Sequence, residues 1–230
     1  MSRGAPNQPP RILAEGRYLT LLDEGGWEYV TRRGVTGIVV IVAITDDGKL
    51  VLVEQHRTAV HGRVIELPAG LVGDGAAHAG EALTDAAARE LVEETGYAAR
   101  EMVPLAAGPV AVGVSDEVVS FFHARGLSRV GPGGGDHTED ITVHEVPRPE
   151  LDAFLAACAA RGLAVDPKLY AGLYLVDADG GRARRASGRR SGSRTGCWGS
   201  SPAPPRRARR RGTTPSGPST STRTACSTAA

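Results

Sequence analysis

Three glutamates lie within five residues of one another in the middle of the chain, at positions 90, 93 and 94. Glu90 and Glu94 are four residues apart, so on a helix they share one face. Two like charges at this spacing destabilise a helix unless a cation neutralises them, and Mg²⁺ prefers oxygen ligands such as carboxylates. A solvated acidic face is the common alternative. The spacing by itself leaves both interpretations open.

The residues around these glutamates predict the helix that carries them. Its apolar stripe has one residue every fourth position: Leu83, Ala87 and Leu91. The hydroxyl of Thr84 is expected to cap the first free amides. Gly96 is expected to end the helix, because glycine tolerates the left-handed conformation found there. Arg89 is one helical turn from Glu93 and is expected to pair with it.

Short strands are predicted before and after this helix. The segment 35–44 is rich in β-branched residues, which is typical of a central buried strand, and the turn at 46–49 joins it to 50–55 as a hairpin. Glycine-rich loops are predicted after residue 70 and at 131–140. The remaining predicted strands are 17–22, 27–32, 63–67, 102–105, 118–124 and 141–146, and later helices are predicted at 149–158 and 167–175. This order favours a mixed α/β sandwich over a doubly wound parallel sheet.

Charge is distributed unevenly along the chain. Beyond Asp179 there are 12 arginines and no acidic residue, which leaves 15 basic and 26 acidic residues in positions 1–179. That part carries a net charge of −11, and the tail carries +12. An acidic body disfavours nonspecific binding of nucleic acid and suits a protein that holds metal ions.

The tail from Gly181 to Ala230 contains no Leu, Ile, Val, Met, Phe or Tyr. It is predicted to be disordered, because it cannot bury enough apolar surface to offset the entropy of ordering it. Two hypotheses for the tail stay open. It is either a basic arm for an anionic partner or an out-of-frame translation of GC-rich DNA.

Several classes of protein do not fit the sequence. The three cysteines are too far apart to suggest a disulfide framework or a zinc site: Cys158, Cys197 and Cys226. No apolar run is long enough for a membrane span, and the first ten residues lack the apolar segment of a signal peptide. The sequence therefore predicts a cytoplasmic protein.

The stretch from Glu81 to Tyr97 resembles the Nudix box, whose pattern is Gly, five residues, Glu, seven residues, Arg-Glu-apolar-any-Glu-Glu-any-Gly-apolar. Every fixed position from Glu81 onward is matched. The first glycine has two candidates. Gly75 satisfies the count to Glu81, whereas Gly70 follows Pro68-Ala69, which is the context of this glycine in the family. We take Gly70 as the equivalent, and this implies a five-residue insertion within 72–79.

Other segments resemble the ADP-ribose pyrophosphatase branch of the Nudix family, and the resemblance spans roughly residues 15–176. These segments are Trp27-Glu28, Gln55-His56-Arg57, Glu66-Leu67-Pro68-Ala69-Gly70 and the run from Glu139 to Val146. The resemblance implies a Nudix-type α/β/α sandwich with a mixed sheet at 35–178. It also implies antiparallel N-terminal strands at 1–34 that contribute to dimerisation and substrate binding, and the tail occupies 179–230.

The resemblance implies roles for particular residues. Glu90 and Glu94, with the backbone carbonyl of Ala69, would bind Mg²⁺, which Mn²⁺ could replace. Glu93 would assist, as a ligand or through its pairing with Arg89. The motif positions with structural roles would be Gly70, Glu81, Arg89 and Gly96.

A late loop would supply the base that takes a proton from the attacking water. Glu139 matches the glutamate that does this in the family. Asp136 and Glu145 are weaker candidates, because the first is short and early and the second is expected on a strand.

Contacts to the substrate are also implied by the resemblance. Trp27 would stack on the adenine with Glu28 nearby, Arg32 and Arg57 would contact phosphates or the base, and the backbone of Leu71 would line the site. Without the resemblance, Trp27 reads as a core residue and Arg57 as part of a surface ion pair. Trp27 often serves the partner subunit's site in this branch, so a homodimer is implied.

The implied function is Mg²⁺-dependent hydrolysis of the pyrophosphate bond of a nucleoside diphosphate sugar, with ADP-ribose giving AMP and ribose 5-phosphate. The branch usually has Ser-Pro-Gly after the helix, but residues 111–117 lack a proline there. ADP-glucose, GDP-mannose and UDP-sugars therefore stay open as substrates. The competing hypothesis is a non-catalytic ligand sensor whose tail binds nucleic acid. Such regulators usually lose the glutamates of the box, which this chain keeps.

Overall fold

The segment Gly37–Ile44 is the centre of the fold, and its side chains alternate between two layers. Val39 and Ile41 belong to an apolar cluster with the helix that carries the three glutamates. Val40 and Val42 belong to a second cluster with two later helices. Because successive side chains of a strand point to opposite faces, helices cover the sheet on both sides. The predicted α/β/α sandwich is confirmed.

A computed structural model of the chain describes residues 9–74, 76–135 and 140–188. The helices are α1 Leu83–Thr95, α2 Leu151–Ala160 and α3 Lys168–Gly188. The strands are β1 Arg11–Glu15, β2 Leu19–Glu24, β3 Trp27–Arg32, β4 Gly37–Ile44, β5 Lys49–Arg57, β6 Gly62–Glu66, β7 Ala69–Val72, β8 Tyr97–Pro109, β9 Val118–Arg129, β10 Ile141–Pro147 and β11 Ala164–Val165.

The main sheet is mixed and has eight strands. Its order is β11-β6-β5-β4-β9-β8, while β10 pairs with β5 and β7 pairs with β4. The pairs β4–β9 and β6–β11 are parallel, and the other pairs are antiparallel. This arrangement brings β7, which precedes α1 in the chain, directly beside the buried strand β4.

The first three strands form a separate antiparallel sheet, as predicted, although the sequence did not predict β1. Gly25 and Gly26 join β2 to β3 with positive φ angles of 62° and 87°. Such angles at both central residues allow a two-residue hairpin turn whose twist matches the strands. The amide of Val30 donates to the carbonyl of Val114 at 2.8 Å, which connects β3 to the segment that precedes β9.

The prediction for α1 is correct at its C-terminal end and wrong at its N-terminal end. Gly96 ends the helix as predicted, with φ 73° and its amide bonded to the Val92 carbonyl. The predicted cap at Thr84 is wrong. Ala82 is the N-cap residue, and no side chain caps this end. Thr84 lies inside the first turn, where its backbone is already helical, whereas a capping residue has a non-helical backbone and lies just before the first turn.

Several elements differ in extent from the prediction. The glycine-rich loop expected after residue 70 begins only after Val72, because strand β7 covers Ala69–Val72, and β8 covers 13 residues where only 102–105 was predicted. Most β8 side chains are partly exposed, so the sequence carries no clear alternation of apolar and polar residues. Helix α3 extends to Gly188 instead of ending at residue 175. Across the described ranges, no helix has both the length and the apolar character needed to cross a membrane.

Two glycines of α3 test how the helix packs on the sheet. A Cβ at the buried Gly172 would lie 2.6 Å from Leu67 Cδ1 and 2.8 Å from Val42 Cγ2, whereas a Cβ at Gly180 would meet nothing within 4 Å. We expect Gly172→Ala to lower the free energy of unfolding by about 1–3 kcal/mol, through overpacking. Gly180→Ala is the matched control and should raise it by about 0.5–1 kcal/mol, since alanine is the better helix former.

Urea unfolding followed by far-ultraviolet circular dichroism measures both variants. If Gly172→Ala stabilised the protein as much as Gly180→Ala, the close packing of α3 against β4 would be contradicted.

Candidate active site

The face of α1 that carries Glu90 and Glu94 lies directly against β7. A Cβ at Gly70 would be 1.9 Å from the Glu90 Cδ, so only glycine leaves room for this carboxylate. The amide of Ala69 donates to Glu94 Oε2 at 3.0 Å, and Glu94 is only 3% exposed. Two carboxylates of one helix therefore meet consecutive residues of one strand. Gly70 occupies the position expected of the first glycine of the motif, and Gly75 lies outside the described residues.

The register between β7 and β4 determines how Ala69 is oriented. Val39 pairs with Gly70, and the amide of Ile41 donates to the Pro68 carbonyl at 2.8 Å. In an antiparallel ladder, alternate residues bond to the neighbouring strand, so Ala69 directs its amide and its carbonyl away from β4. The amide reaches Glu94, and the carbonyl lies on the same side of the strand. A backbone oxygen thus accompanies the two carboxylates.

Arg89 connects the acidic residues of this motif. Its Nε and Nη2 donate to the two carboxylate oxygens of Glu81 at 3.0 and 3.1 Å. Its Nη1 lies 2.8 Å from Glu93 Oε2, which is the predicted pair, and 2.9 Å from Glu90 Oε1. Nη2 also lies 3.4 Å from the Leu71 carbonyl. One guanidinium therefore joins the start of the helix, its acidic face and β7.

These contacts change the proton affinities of the groups involved. Hydrogen bonds to Glu81 raise the pKa of Arg89 above its ordinary range, so this guanidinium is charged at neutral pH. The same bonds lower the pKa of Glu81. Bidentate pairing of a guanidinium with a carboxylate is one of the stronger polar contacts in proteins.

The donor atoms fit a hard divalent cation. Within the described part of the chain, no three His, Cys, Asp or Glu side chains form a ready metal cluster. Mg²⁺ does not require one, because it is commonly held by one or two carboxylates together with water and substrate phosphates. Glu90, Glu94 and the Ala69 carbonyl offer oxygen donors of this kind, and soft or imidazole ligands are missing from the set.

A cavity of about 290 Å³ lies where β3, the start of β4 and the start of α1 meet residues 116–120. Arg32 lines it, and its Nε donates to Glu117 Oε1 at 2.7 Å. Glu117 and the adjacent Asp116 also line the cavity. The sequence of 111–117 indicated only a departure from the family pattern, and a role for these two carboxylates was not predicted, although adjacent acidic residues before a strand were a usable signal.

Trp27 and Arg57 lie in different parts of the fold. The core interpretation of Trp27 is wrong, because its side chain at the start of β3 is 61% exposed, and Glu28 beside it is exposed too.

Arg57 forms the surface ion pair that was its alternative role, with Nε 2.7 Å from Glu66 Oε2. Burial raises the pKa of the Glu66 carboxyl, and Arg57 opposes that shift. Since the Arg57 side chain remains 43% exposed, this pair leaves surface for a second contact.

The three candidate bases have different outcomes. Glu145 Oε1 accepts hydrogen bonds from the Tyr97 hydroxyl at 2.6 Å and from Arg129 Nη1 at 3.0 Å, which explains Glu145 as a structural residue on β10. Asp136 and Glu139 lie outside the described residues.

The fold and this site define an α/β/α protein with a mixed sheet, in which an acidic helix lies against a glycine-containing strand. The family described as "NUDIX domain" matches residues 35–161, which is more than half of the 230-residue chain. The chain belongs to the Nudix family. The prediction from the box is confirmed.

Relatives of known name support this assignment. An ADP-ribose pyrophosphatase of Mycobacterium tuberculosis (strain ATCC 25618 / H37Rv) is 38% identical over 156 residues, which cover 66% of this chain and 72% of that protein. A methanol dehydrogenase activator of Bacillus methanolicus is 35% identical over 115 residues, covering 50% of this chain. The match spans 60% of that relative, which is less than two thirds of its length.

A solved structure described as "Crystal structure of ADP compounds hydrolase" matches the fold with a TM-score of 0.53 and 23% sequence identity. The match covers 76% of this chain and 95% of that one. At this level of identity the similarity shows the fold alone.

The Glu81–Arg89 contact predicts how stability depends on pH. Because the pKa of Glu81 is lowered by folding, its contribution is present above the ordinary pKa and is lost as the pH falls below about 4.5. At pH 7 in the presence of a chelator, we expect Glu81→Gln to lower the free energy of unfolding by about 1–3 kcal/mol. The difference from wild type should shrink progressively below pH 4.5.

Glu93→Gln is the matched control, because Glu93 touches the same guanidinium through one contact and is much more exposed. Glu93→Gln should lower the free energy of unfolding by less than about 1 kcal/mol. Denaturant unfolding between pH 3 and 8 measures both variants, and a pH-independent loss in Glu81→Gln would contradict the assignment.

Proposed function

We propose that this chain is a divalent-metal-dependent hydrolase that cleaves the pyrophosphate bond of a nucleoside diphosphate sugar. The leading substrate is ADP-ribose, which would yield AMP and ribose 5-phosphate. The main support for the proposal is a pair of contacts in a domain of the Nudix family. Glu90 packs against Gly70, and Glu94 accepts a hydrogen bond from the amide of Ala69. The name of the Mycobacterium tuberculosis relative supports the substrate class.

Glu90, Glu94 and the Ala69 carbonyl would hold Mg²⁺, and Mn²⁺ could replace it. When bound, the metal neutralises charge on the pyrophosphate and lowers the pKa of a bound water. Arg89 holds Glu90 from one side while Gly70 leaves room for it on the other, so the carboxylate is positioned before any ligand arrives. Glu93 shares the same guanidinium and assists as a ligand or through that pairing.

The proton of the attacking water would be taken by Glu139, which the family resemblance places in this role. Glu139 directly precedes Asp140 and strand β10 in the chain. Glu145 does not fit the role, because two donors already hold its carboxylate.

The N-terminal sheet would complete the site in a homodimer. Trp27 is exposed at the start of β3, as stacking on an adenine requires, and other large apolar side chains in β1, in β2 and between them are also exposed: Ile12, Leu19 and Tyr18. An apolar surface of this kind is typical of an interface. Arg32 and Arg57 would contact phosphates or the base. A cytoplasmic location suits a nucleotide-sugar substrate.

A panel of nucleotide sugars tests the function. Purified protein with Mg²⁺ or Mn²⁺ should release AMP from ADP-ribose, and ADP-glucose, GDP-mannose and a UDP-sugar should be slower. If one of those three compounds is cleaved faster than ADP-ribose, that compound is the preferred substrate, and the proposed hydrolysis of a pyrophosphate bond still holds. If no pyrophosphate bond in the panel is cut, the proposed function is wrong.

Glu94→Gln should lower kcat by at least ~100-fold, because one charged metal ligand is lost from a preorganised site. The neutral side chain can still accept the bond from the Ala69 amide, so thermal unfolding without metal should change little. Glu101→Gln, on the exposed side of β8, is the matched control and should keep wild-type activity. Near-normal turnover of Glu94→Gln would remove Glu94 from the metal site.

Glu139→Gln should lower kcat by ~10²–10⁴-fold, the usual contribution of a general base, with little change in KM. Asp136→Asn is the comparison, because Asp136 is the weaker candidate for the base and lies three residues earlier in the chain. A rise in KM with unchanged kcat in Glu139→Gln would count against its role as the base.

A further inference from the structure

Two largely buried carboxylates lie close together where β6 ends and α3 begins. The side chain of Glu66 is 10% exposed, and that of Asp166 is 11% exposed. Burial raises the pKa of the Glu66 carboxyl, and the nearby Asp166 carboxylate adds to that shift. The net shift is upward despite the pairing with Arg57, so the ionised form of Glu66 does not stabilise the fold.

The two carboxylates have different partners. Asp166 Oδ1 accepts a hydrogen bond from the amide of Lys168 at 2.8 Å, and Lys168 Nζ contacts the other oxygen. Asp166 therefore serves the first turn of α3, as a capping residue does. Glu66 Oε2 instead accepts a hydrogen bond from Arg57 Nε at 2.7 Å. Among the described residues, Arg57 is the cation that Glu66 holds.

The guanidinium of Arg57 is held on one side and open on the other. Within the described part of the chain, its Nη1 and Nη2 form no hydrogen bond, and its side chain is 43% exposed. Those two nitrogens carry four of the five N–H donors of the group. A guanidinium that is fixed at Nε and open at both Nη atoms is prepared to bind an oxyanion such as a phosphate.

Arg57 and Glu66 lie on the face of the sheet that the acidic helix covers. Val51 belongs to the apolar cluster of α1, and Arg57 is six residues further along the same strand, so the two side chains share a face. Glu66 pairs with Val53 across the β5–β6 ladder and therefore lies on this face too.

A short buried connection links Glu66 to the acidic site. Glu66 ends β6, and Ala69 begins β7. Between them, Leu67 is 2% exposed, and the Pro68 carbonyl accepts a hydrogen bond from the amide of Ile41 at 2.8 Å. Three residues span at most about 11 Å, so the carboxylate that holds Arg57 lies close to the backbone that would bind the metal. A pyrophosphate bound there would come within reach of the open side of Arg57.

We propose that Glu66 is a positioning residue for substrate binding, which holds the guanidinium of Arg57 toward the pyrophosphate of the substrate. The inference rests on the proposed function, in which Arg57 contacts the substrate. A long side chain that is already held in place loses less conformational entropy when the ligand binds. Glu66 itself touches no substrate and acts through Arg57.

The test uses Glu66→Gln in the full-length chain, with ADP-ribose and Mg²⁺. The amide keeps the size of the side chain and can still accept the bond from Arg57, but that bond is no longer between charged groups. We expect KM to rise ~3–10-fold with kcat near wild type, because a binding contact is weakened equally in the ground state and the transition state. Isothermal titration calorimetry with ADP-ribose and a chelator should show the same rise in Kd.

Thermal unfolding distinguishes positioning from a structural ion pair. Because folding raises the pKa of Glu66, its ionised form destabilises the protein once the pH is above the folded pKa. At pH 7 the neutral amide of Glu66→Gln should therefore leave the unfolding temperature equal to that of wild type or higher. A lower unfolding temperature with unchanged KM and Kd would overturn the inference.

Asp177→Asn is the matched control, because it makes the same change in a carboxylate that an arginine holds elsewhere. Arg148 donates to both oxygens of Asp177 at 2.9 Å, on the exposed side of α3. The control should leave KM and Kd unchanged. An equal rise in KM in Asp177→Asn would show a general effect of charge and would overturn the inference.

A double-mutant cycle tests whether Glu66 acts through Arg57. Arg57→Ala should raise KM more than Glu66→Gln does, because it removes the contact itself. Adding Glu66→Gln to Arg57→Ala should cause no further rise. The positioning role would be wrong if the two effects were additive, or if Arg57→Ala left KM unchanged.

The wild-type enzyme separates this inference from the proposed function. If it cuts no nucleotide sugar, the proposed function fails and the positioning role fails with it. If it is active and Glu66→Gln binds ADP-ribose equally tightly, the positioning role alone fails.

Discussion

The close approach of α1 to β7 at Gly70 is the contact on which the site depends. Glu90 occupies space that any side chain at position 70 would fill, and the neighbouring amide of Ala69 holds Glu94. Strand β7 is hydrogen-bonded in turn to β4, whose central residues are completely buried. The two carboxylates are thus positioned by a strand that is bonded to the buried centre of the sheet, and a preorganised site requires such support.

Charge balance is the second constraint on this region. The segment 81–97 contains one arginine and no lysine, together with the glutamates of the box and Asp85. Arg89 contacts three of the glutamates, while Glu94 is held by a backbone amide. The negative charge exceeds what one guanidinium can neutralise, and this excess favours a divalent cation near Glu90 and Glu94. The same guanidinium also contacts β7, through the Leu71 carbonyl at 3.4 Å.

Much of this site followed from local spacing, and the failures have physical causes. The Arg89–Glu93 pair and the end of α1 at Gly96 depend on helical geometry alone, and both are present. The cap at Thr84 failed because a capping residue must lie outside the helix, and the chain enters α1 earlier. Strand β7 was missed because four residues that include Ala69 and Gly70 carry no strand signal of their own. The exposure of Trp27 depends on a small sheet that leaves one side uncovered.

The sequence by itself determined the acidic helix, the family and the types of atom that the site offers, because these depend on spacings of a few residues. Only the tertiary structure decided which way Ala69 faces, since that follows from its register with β4. It also decided that Arg63 meets Asp140, 77 residues further along the chain. Contacts of this kind depend on which distant strands become neighbours, and local periodicity carries no record of that pairing.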